Sequence, residues 1–159
     1  MISQTIALII LLLLGITYLY AFSNVQNRFL KHLSQPKKNI SVMILYFSSL
    51  IAASVNMVYA AGLSSDAISY FLKSSTYLNI LFFSISFFAI SWIFSLALFR
   101  LSFLIVGFIT PENEDDELIK NNIELAILHA VILISIAIML APALVKIEAQ
   151  FIPYPKLPF

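Results

Sequence analysis

The chain has 159 residues, of which 61% are hydrophobic and only 11% are charged, and its mean hydropathy is +0.98. A soluble domain is roughly half apolar and about a quarter charged, so this composition excludes an ordinary soluble fold and predicts one integral membrane domain over residues 1–159. The chain has no cysteine, which excludes disulfides and thiolate chemistry, and its net charge of +1 without a basic patch argues against a nucleic-acid partner.

The first apolar run covers residues 2–22, close to the roughly 20 residues that a helix needs to cross a bilayer. A secretory signal peptide is the competing interpretation, but no Lys or Arg precedes Arg28 and the run has spanning length. We therefore interpret it as a retained transmembrane helix. Tyr18, Tyr20 and Phe22 are predicted to form an aromatic belt at its far end.

The first connector, residues 23–39, is basic and contains no acidic residue. Apolar side chains keep helical spacing through its first part, which predicts that the first helix extends beyond the membrane. Cytoplasmic loops of membrane proteins carry an excess of Lys and Arg, so we expect this connector to be cytoplasmic and the N-terminus to be outside. Its basic residues, a predicted docking surface, are Arg28, Lys31, Lys37 and Lys38.

The second span, residues 40–63, and the third span, residues 78–100, each carry a face of small or weakly polar side chains. Such faces let helices approach closely in lipid, and a hydrated pathway is the alternative for the serines of the third span. Between these spans, Ser64 and Asp66 favour the N-cap of a separate interfacial helix over residues 64–77 on the outer surface. The predicted packing face consists of Ser48, Ala52, Asn56, Ala60, Ser84, Ser91 and Ser95.

The second connector, residues 101–122, is acidic, although the third apolar run continues to Ile109 and predicts a helical extension at its start. Thr110 as an N-cap followed by Pro111 predicts a short helix over residues 111–120. Acidic residues contribute little to topology, so this connector can also be cytoplasmic, where it could pair with the first connector or with a partner protein. Its predicted docking residues are Glu114, Asp115, Asp116 and Glu117.

The fourth span, residues 123–144, is predicted to begin after Asn121 as N-cap, with Glu124 three residues later as a variant of the capping box. The tail, residues 145–159, ends in a proline-rich stretch and is predicted to be an extended outer segment. Four spans joined in this way predict an all-α membrane protein with both termini outside.

The two connectors end alike, because Lys38-Asn39-Ile40 and Asn121-Asn122-Ile123 each open an apolar run. This similarity predicts two parallel repeats of two helices. Residues in and after the acidic connector form a further pattern: Ile109, Thr110, Pro111, Glu117, Leu118, Asn122, Ala126, Ile127 and Ala130. In this pattern the sequence resembles the YjfL-like family of small bacterial inner-membrane proteins. The resemblance implies a four-helix architecture in the bacterial cytoplasmic membrane and no assigned activity.

The repeat also aligns polar positions at the start of the second and fourth spans. Asn39 is equivalent to Asn122, and Tyr46 is equivalent to His129. The functional hypothesis is a polar site near the cytoplasmic interface, in which Tyr46 and His129 exchange a proton. In the alternative, the asparagines cap helices while Tyr46 and His129 bond to each other or to a neighbouring helix. The candidate polar site consists of Asn39, Tyr46, Asn122, Glu124 and His129.

No Ser/His/Asp triad and no metal-ligand spacing is visible in the sequence, so we expect no enzymatic activity, cofactor or metal. Secondary transporters usually have helices broken by Gly or Pro at mid-membrane, and such breaks are few here. We therefore expect a scaffold, assembly factor or accessory subunit of a larger envelope complex, with the bilayer and other membrane subunits or further copies of the chain as partners. The alternatives are a small channel or transporter formed by homo-oligomerisation, and a membrane-stress sensor that uses the interfacial helix.

Overall fold

The computed structural model describes residues 2–31, 33, 39–73, 77–110 and 113–152. Within these residues the fold is all-α, as predicted. The helices are α1 (Ile2–Leu30), α2 (Ile40–Lys73), α3 (Tyr77–Ile109), α4 (Glu114–Ile119) and α5 (Ile123–Ala149). Four segments are long and apolar enough to cross a membrane, namely Leu8–Leu30, Ile40–Tyr70, Leu78–Ile109 and Ile123–Ala149.

The helix α2 continues through the position where a separate interfacial helix was predicted to begin. Ser64 is fully buried, and Ala67 and Ile68 pack into the core of the bundle. Ser69 donates a hydrogen bond to the carbonyl of Ser65 one turn earlier, within the continuous helix. Residues 64–73 therefore belong to α2, because the burial of Ala67 and Ile68 outweighs the local capping preference of Ser64 and Asp66.

The helix α5 is also longer than its predicted span, which ended at residue 144. It runs to Ala149, and Leu144 and Glu148 are both buried against the bundle. The first part of the predicted extended tail, residues 145–149, is therefore helical. The proline-rich end of the tail, from residue 153, lies outside the described residues.

The helix α2 is at the centre of the bundle and packs against α1, α3 and α5. Leu33, Leu45, Val106, Leu118 and Leu125 belong to one apolar cluster, which marks the end of the bundle where both connectors lie. We call this the connector end. The outer faces of the long helices expose apolar side chains such as those of α1, as expected for helices surrounded by lipid.

The predicted packing face lies inside the chain. All seven of its residues are at most 4% exposed, and they line the interfaces of α2 and α3 with their neighbours. Ser48 and Ser95 donate to carbonyls of their own helices, at 3.0 Å from Leu45 O and 2.9 Å from Ser91 O respectively. These small side chains are therefore used for packing within one copy of the protein.

The predicted aromatic belt of α1 is divided between the core and the surface. Tyr20 is 70% exposed, whereas Tyr18 and Phe22 are 4% and 1% exposed and pack into the bundle. The spacing of four residues places Tyr18 and Phe22 on one face of α1, and that face points at α2 and α3. Only Tyr20 has the exposure expected of a belt residue.

A candidate polar site at the connector end

Two asparagines cap the helices that start at the connector end. The amide oxygen of Asn39 accepts a hydrogen bond from the backbone N–H of Val42 at 3.1 Å, and that of Asn122 accepts one from Leu125 at 3.1 Å. Asparagine is favoured at this position because its side chain satisfies an N–H that has no partner within the helix. The two caps therefore have the same geometry, as expected of equivalent positions in a repeat.

The predicted cap at Asn121 is wrong by one residue. Asn121 has a positive φ of 65°, which an asparagine tolerates, and it forms the turn between α4 and α5. Because Asn122 is the cap, Glu124 is the second residue of α5 and does not complete a capping box. Its side chain is exposed at the start of α5.

The asparagines also join the two halves of the chain. The amide nitrogen of Asn39 donates to the carbonyl oxygen of Leu118 at 2.7 Å, near the end of α4. In return, the amide oxygen of Asn121 accepts from the backbone N–H of Ser41 at 3.0 Å and from its hydroxyl at 3.3 Å. We call Asn39, Ser41, Leu118 and Asn121 the asparagine junction. In this junction, a side chain from each half of the chain bonds to a backbone group near a helix end of the other half.

The helix α4 has only six residues and depends on its neighbours. It begins after Asn113, which makes no side-chain capping bond, and not at Thr110, whose hydroxyl donates back to Val106 O at 2.9 Å. Pro111 lies outside the described residues. Leu118 anchors the helix in the core and is fully buried. Since short isolated helices are unstable in water, these tertiary contacts hold α4 in place.

Glu117 ties α4 to the start of α5. Its carboxylate accepts from Lys120 Nζ at 2.6 Å and from the side-chain amide of Asn122 at 3.1 Å. The hydrogen bond from Lys120, and then that from Asn122, lowers the pKa of Glu117 below its usual value. The neighbouring Asp115 and Asp116 are exposed on the outer side of α4.

Glu114 lies at the start of α4 and points into the bundle. Its Oε1 occupies the space over Gly107, where an added Cβ would lie only 2.7 Å from that oxygen. Its Oε2 is 3.9 Å from Nδ1 of His129, and neither atom has a hydrogen-bond partner among the described residues. Burial, and secondly the charge of Asp115, raises the pKa of Glu114 above its usual value. Glycine at position 107 therefore makes room for this carboxyl group.

His129 lies on α5, where its side chain is fully buried against α3. Its Nε2 lies 3.0 Å from the hydroxyl of Ser102, and the ring of Phe103 packs edge-on against it with centroids 4.1 Å apart. Nδ1 of His129 faces Oε2 of Glu114 at 3.9 Å, which is beyond hydrogen-bond distance. We call these two residues the Glu114–His129 pair.

Tyr46 and His129 do not contact each other in the way the proton-exchange hypothesis requires. The hydroxyl of Tyr46 is 2.6 Å from that of Ser23 on α1, while His129 bonds to Ser102 on α3. Each of the two aligned polar residues thus pairs with a serine on the preceding long helix of its own half. Of the alternatives from the sequence, the contacts correspond to bonding with a neighbouring helix.

The sequence reasoning missed a second group of buried polar side chains, deeper in the bundle. Tyr18 OH lies 2.7 Å from Ser95 Oγ, and Asn56 donates to the same serine at 2.8 Å. Ser91 donates to Glu148 Oε1 at 3.3 Å. We call these five residues the inner cluster. Glu148 was assigned to the extended tail, but it lies four residues after Leu144 and continues the buried face of α5.

The basic docking residues are only partly described. Arg28 and Lys31 are exposed near the end of α1, whereas Lys37 and Lys38 lie outside the described residues. The predicted pairing of the two connectors therefore stays a prediction. Across the described part of the chain, no group of three or more His, Asp or Glu side chains is placed to hold a metal ion.

Comparison with known proteins connects the chain to one family. A family model described as "Domain of Unknown Function (DUF350)" matches residues 1–144, which include the asparagine junction and the Glu114–His129 pair. No curated protein and no solved structure matches the chain. Glu148 lies just beyond the matched residues.

Proposed function

The protein belongs to the DUF350 family, and we propose that it works as a non-catalytic scaffold, assembly factor or accessory subunit of a larger complex in a bacterial inner membrane. The proposal includes two parallel repeats, cytoplasmic connectors and outer termini. The Lys and Arg distribution supports this orientation. The resemblance to YjfL-like inner-membrane proteins is consistent with the proposed location.

The proposal rests on the contacts that fix α4 against the bundle. Asn39 bonds to Leu118 near the C-terminal end of α4, Asn122 bonds to Glu117, and Leu118 is buried in the core. A six-residue helix with exposed Asp115 and Asp116 is thereby fixed in one orientation at the connector end. A fixed acidic surface is suited to binding a basic segment of a partner, because less conformational entropy is lost on binding.

The equivalent contacts of the two halves support the repeat. Asn39 and Asn122 cap their helices at the same distance, and Tyr46 and His129, each seven residues later, bond to Ser23 and Ser102. Two units joined in this way place both connectors at the same end of the bundle. That end is the surface on which we propose that the partner binds.

Copurification from a mild detergent tests this function. We expect a stoichiometric unrelated membrane protein to accompany the wild-type chain and to be lost in the double variant Asp115→Lys/Asp116→Lys. Glu124→Lys is the matched control, because Glu124 is an exposed acid at the connector end but outside α4. Retention of the partner by the double variant, or its absence from the wild type, would contradict the docking proposal.

A small channel or transporter formed by several copies is the second candidate. The buried polar side chains of α3 and α5, including Ser102, His129 and Glu148, favour it because polar groups within membrane helices often line pathways. Ion or proton flux through purified protein in liposomes, with a symmetric homo-oligomer, would favour this candidate over the first. The membrane-stress sensor is supported less well, since α2 is continuous where a separate interfacial helix was needed.

A further inference from the structure

We propose that Glu148 is the acceptor of a proton-binding site within the membrane-spanning bundle, completed by Ser91 and the hydroxyl and amide groups of the inner cluster. Glu148 lies in the apolar segment Ile123–Ala149 and its side chain is fully buried. An ionisable side chain inside a membrane helix is costly, so it is usually retained for a function. This inference does not depend on the docking function of α4.

The carboxyl group of Glu148 has few partners. Its Oε1 accepts one long hydrogen bond from Ser91 at 3.3 Å, and its Oε2 has no hydrogen-bond partner among the described residues. Ser91 of α3 bonds to this carboxyl group, and Tyr18 of α1 and Asn56 of α2 bond to Ser91 O and to Ser95. Of these side chains only Tyr18 is titratable. Lys146, the nearest cation along α5, is exposed. The described surroundings therefore supply no counter-charge for a carboxylate.

The inner cluster has more acceptors than donors. The single hydroxyl proton of Tyr18 faces three acceptors, Ala53 O at 3.1 Å, Ser91 O at 3.3 Å and Ser95 Oγ at 2.7 Å. Asn56 uses its amide nitrogen on Ser95, and its Oδ1 has no partner among the described residues. A purely structural polar network would satisfy its buried acceptors. Here Glu148 Oε2 and Asn56 Oδ1 remain open although both side chains belong to the buried cluster.

A proton bound to Glu148 accounts for both the missing counter-charge and the open acceptor oxygens. It neutralises the carboxyl group, so that no buried counter-ion is needed, and it turns one open acceptor into an O–H donor. The hydroxyls of Ser91, Ser95 and Tyr18 can reorient to accept or pass on a hydrogen bond, because a hydroxyl is both donor and acceptor. The inner cluster thus has the chemistry of a site that takes up and releases a proton.

Labelling with dicyclohexylcarbodiimide tests the site, since this lipid-soluble reagent adds to protonated carboxyl groups in apolar surroundings. The wild-type protein in liposomes should carry an adduct on Glu148, located by peptide mass spectrometry. The adduct should decrease as pH is raised from about 5 to about 9, a range in which a surface carboxyl group is already ionised. It should be lost in Glu148→Gln and kept in Glu124→Gln, which removes an exposed carboxyl group from the same helix.

The remaining outcomes would overturn the assignment. The absence of an adduct on Glu148 at every pH, or labelling that does not change with pH, would exclude a proton that exchanges in this range. Protection by sodium chloride but not by choline chloride, at fixed pH, would assign the site to sodium instead. Because Gln keeps an oxygen acceptor for Ser91, Glu148→Gln should fold, and the pH profile of the wild type is informative without any variant.

Discussion

Asn39 links the start of α2 to the end of α4, because its amide oxygen caps Val42 while its amide nitrogen bonds to Leu118 O at 2.7 Å. One side chain thus satisfies a free N–H at one helix end and a free C=O at another. This double use lets one side chain supply both a helix cap and a contact between the two halves of the chain. Asn122, at the start of α5, caps in the same way but uses its nitrogen on Glu117.

We expect Asn39→Ala to lower the free energy of unfolding by about 1–2 kcal/mol, because a cap and a partly buried hydrogen bond are lost together. Asn39→Asp keeps the capping oxygen but lacks the amide donor, so it should retain the cap and lose the contact with Leu118. Equilibrium unfolding, in which a denaturing detergent is titrated into the protein in mild detergent, measures the free energy of unfolding of both variants. Asn24→Ala, on an exposed face of α1, is the control.

The comparison of the two Asn39 variants separates the two roles. If Asn39→Asp is as stable as the wild type, the bond to Leu118 contributes nothing and Asn39 acts only as a helix cap. If both variants equal the Asn24→Ala control, the junction does not stabilise the fold. A partner that is lost in Asn39→Asp while the bundle stays folded would connect the junction to the proposed docking surface.

Local chemistry was sufficient to predict the long helices and the use of asparagines as helix caps at the polar site. Uninterrupted apolar runs predict the four long helices. The preference of Asn for helix caps predicts Asn121 as the cap of the fourth span, with caps at Asn39 and Asn122 as the alternative to a polar site. The error at Asn121 has a local cause as well, since the turn after α4 gives this residue a positive φ and moves the cap by one position. The residues on either side, Lys120 and Asn122, do not indicate this turn in the sequence.

Tertiary packing decided what sequence patterns could not. Ser64 looks like a cap but is buried within a continuous α2, and Glu148 looks like the start of a tail but is buried in the bundle, where Ser91 of α3 donates to it. The contacts of Tyr46 and His129 depend on which serines α1 and α3 place opposite them. Extending the buried face of α5 by one turn beyond Leu144 would have found Glu148.

Gly107→Ala should displace the carboxyl group of Glu114, because the new Cβ would lie 2.7 Å from its Oε1. Alanine in a helix is favoured over glycine by roughly 0.5–1 kcal/mol, and Gly62→Ala should show this gain because nothing lies within 4 Å of its added Cβ. We expect Gly107→Ala to gain less than Gly62→Ala in the same unfolding assay.

The double variant Gly107→Ala/Glu114→Ala tests the cause of that difference. Removing the carboxyl group removes the clash, so the full gain from alanine should return and the two substitutions should be strongly non-additive. Additive effects would show that Glu114 does not occupy the space over Gly107.

The two glutamates of α4 should give opposite dependences of stability on pH. The pKa of Glu114 is raised above 4.5 by burial and by Asp115, so the folded state binds its proton more tightly than the unfolded state does. Its stabilising contribution is present below about pH 4.5 and is lost as pH rises through the folded-state pKa. The pKa of Glu117 is lowered, so its contribution is present above about pH 4.5 and is lost as pH falls.

Substitution by Gln removes the titratable carboxyl group of Glu114 or of Glu117. Glu114→Gln should be more stable than the wild type near neutral pH, and this difference should shrink as the pH is lowered. Glu117→Gln should be less stable near neutral pH because it loses its charged contacts with Lys120 and Asn122, and it should approach the wild type in acid. Melting temperatures measured from acidic to neutral pH check both, with Glu124→Gln as the control for a lost surface charge. Parallel curves for all three variants would contradict the assignment.

Ser102 and Ser84 provide a matched pair of fully buried serines on the same face of α3. Ser102 lies 3.0 Å from His129 Nε2, whereas the hydroxyl of Ser84 has no hydrogen-bond partner among the described residues. Removing the partner of a buried polar atom costs about 1–3 kcal/mol, but removing an unsatisfied hydroxyl costs little and can stabilise. We therefore expect Ser102→Ala to destabilise the protein and Ser84→Ala to be neutral or stabilising.

The variant His129→Phe completes this comparison. It fills the space of the imidazole with an apolar ring, and Ser102 keeps its own bond to Phe99 O at 2.7 Å, so Ser102→Ala should cost much less in the His129→Phe background. Unfolding of the two single variants and the double variant measures this coupling. An unchanged cost of Ser102→Ala would mean that the hydroxyl acts through α3 and not through His129, and the imidazole would then have to be held by Glu114 and Phe103 alone.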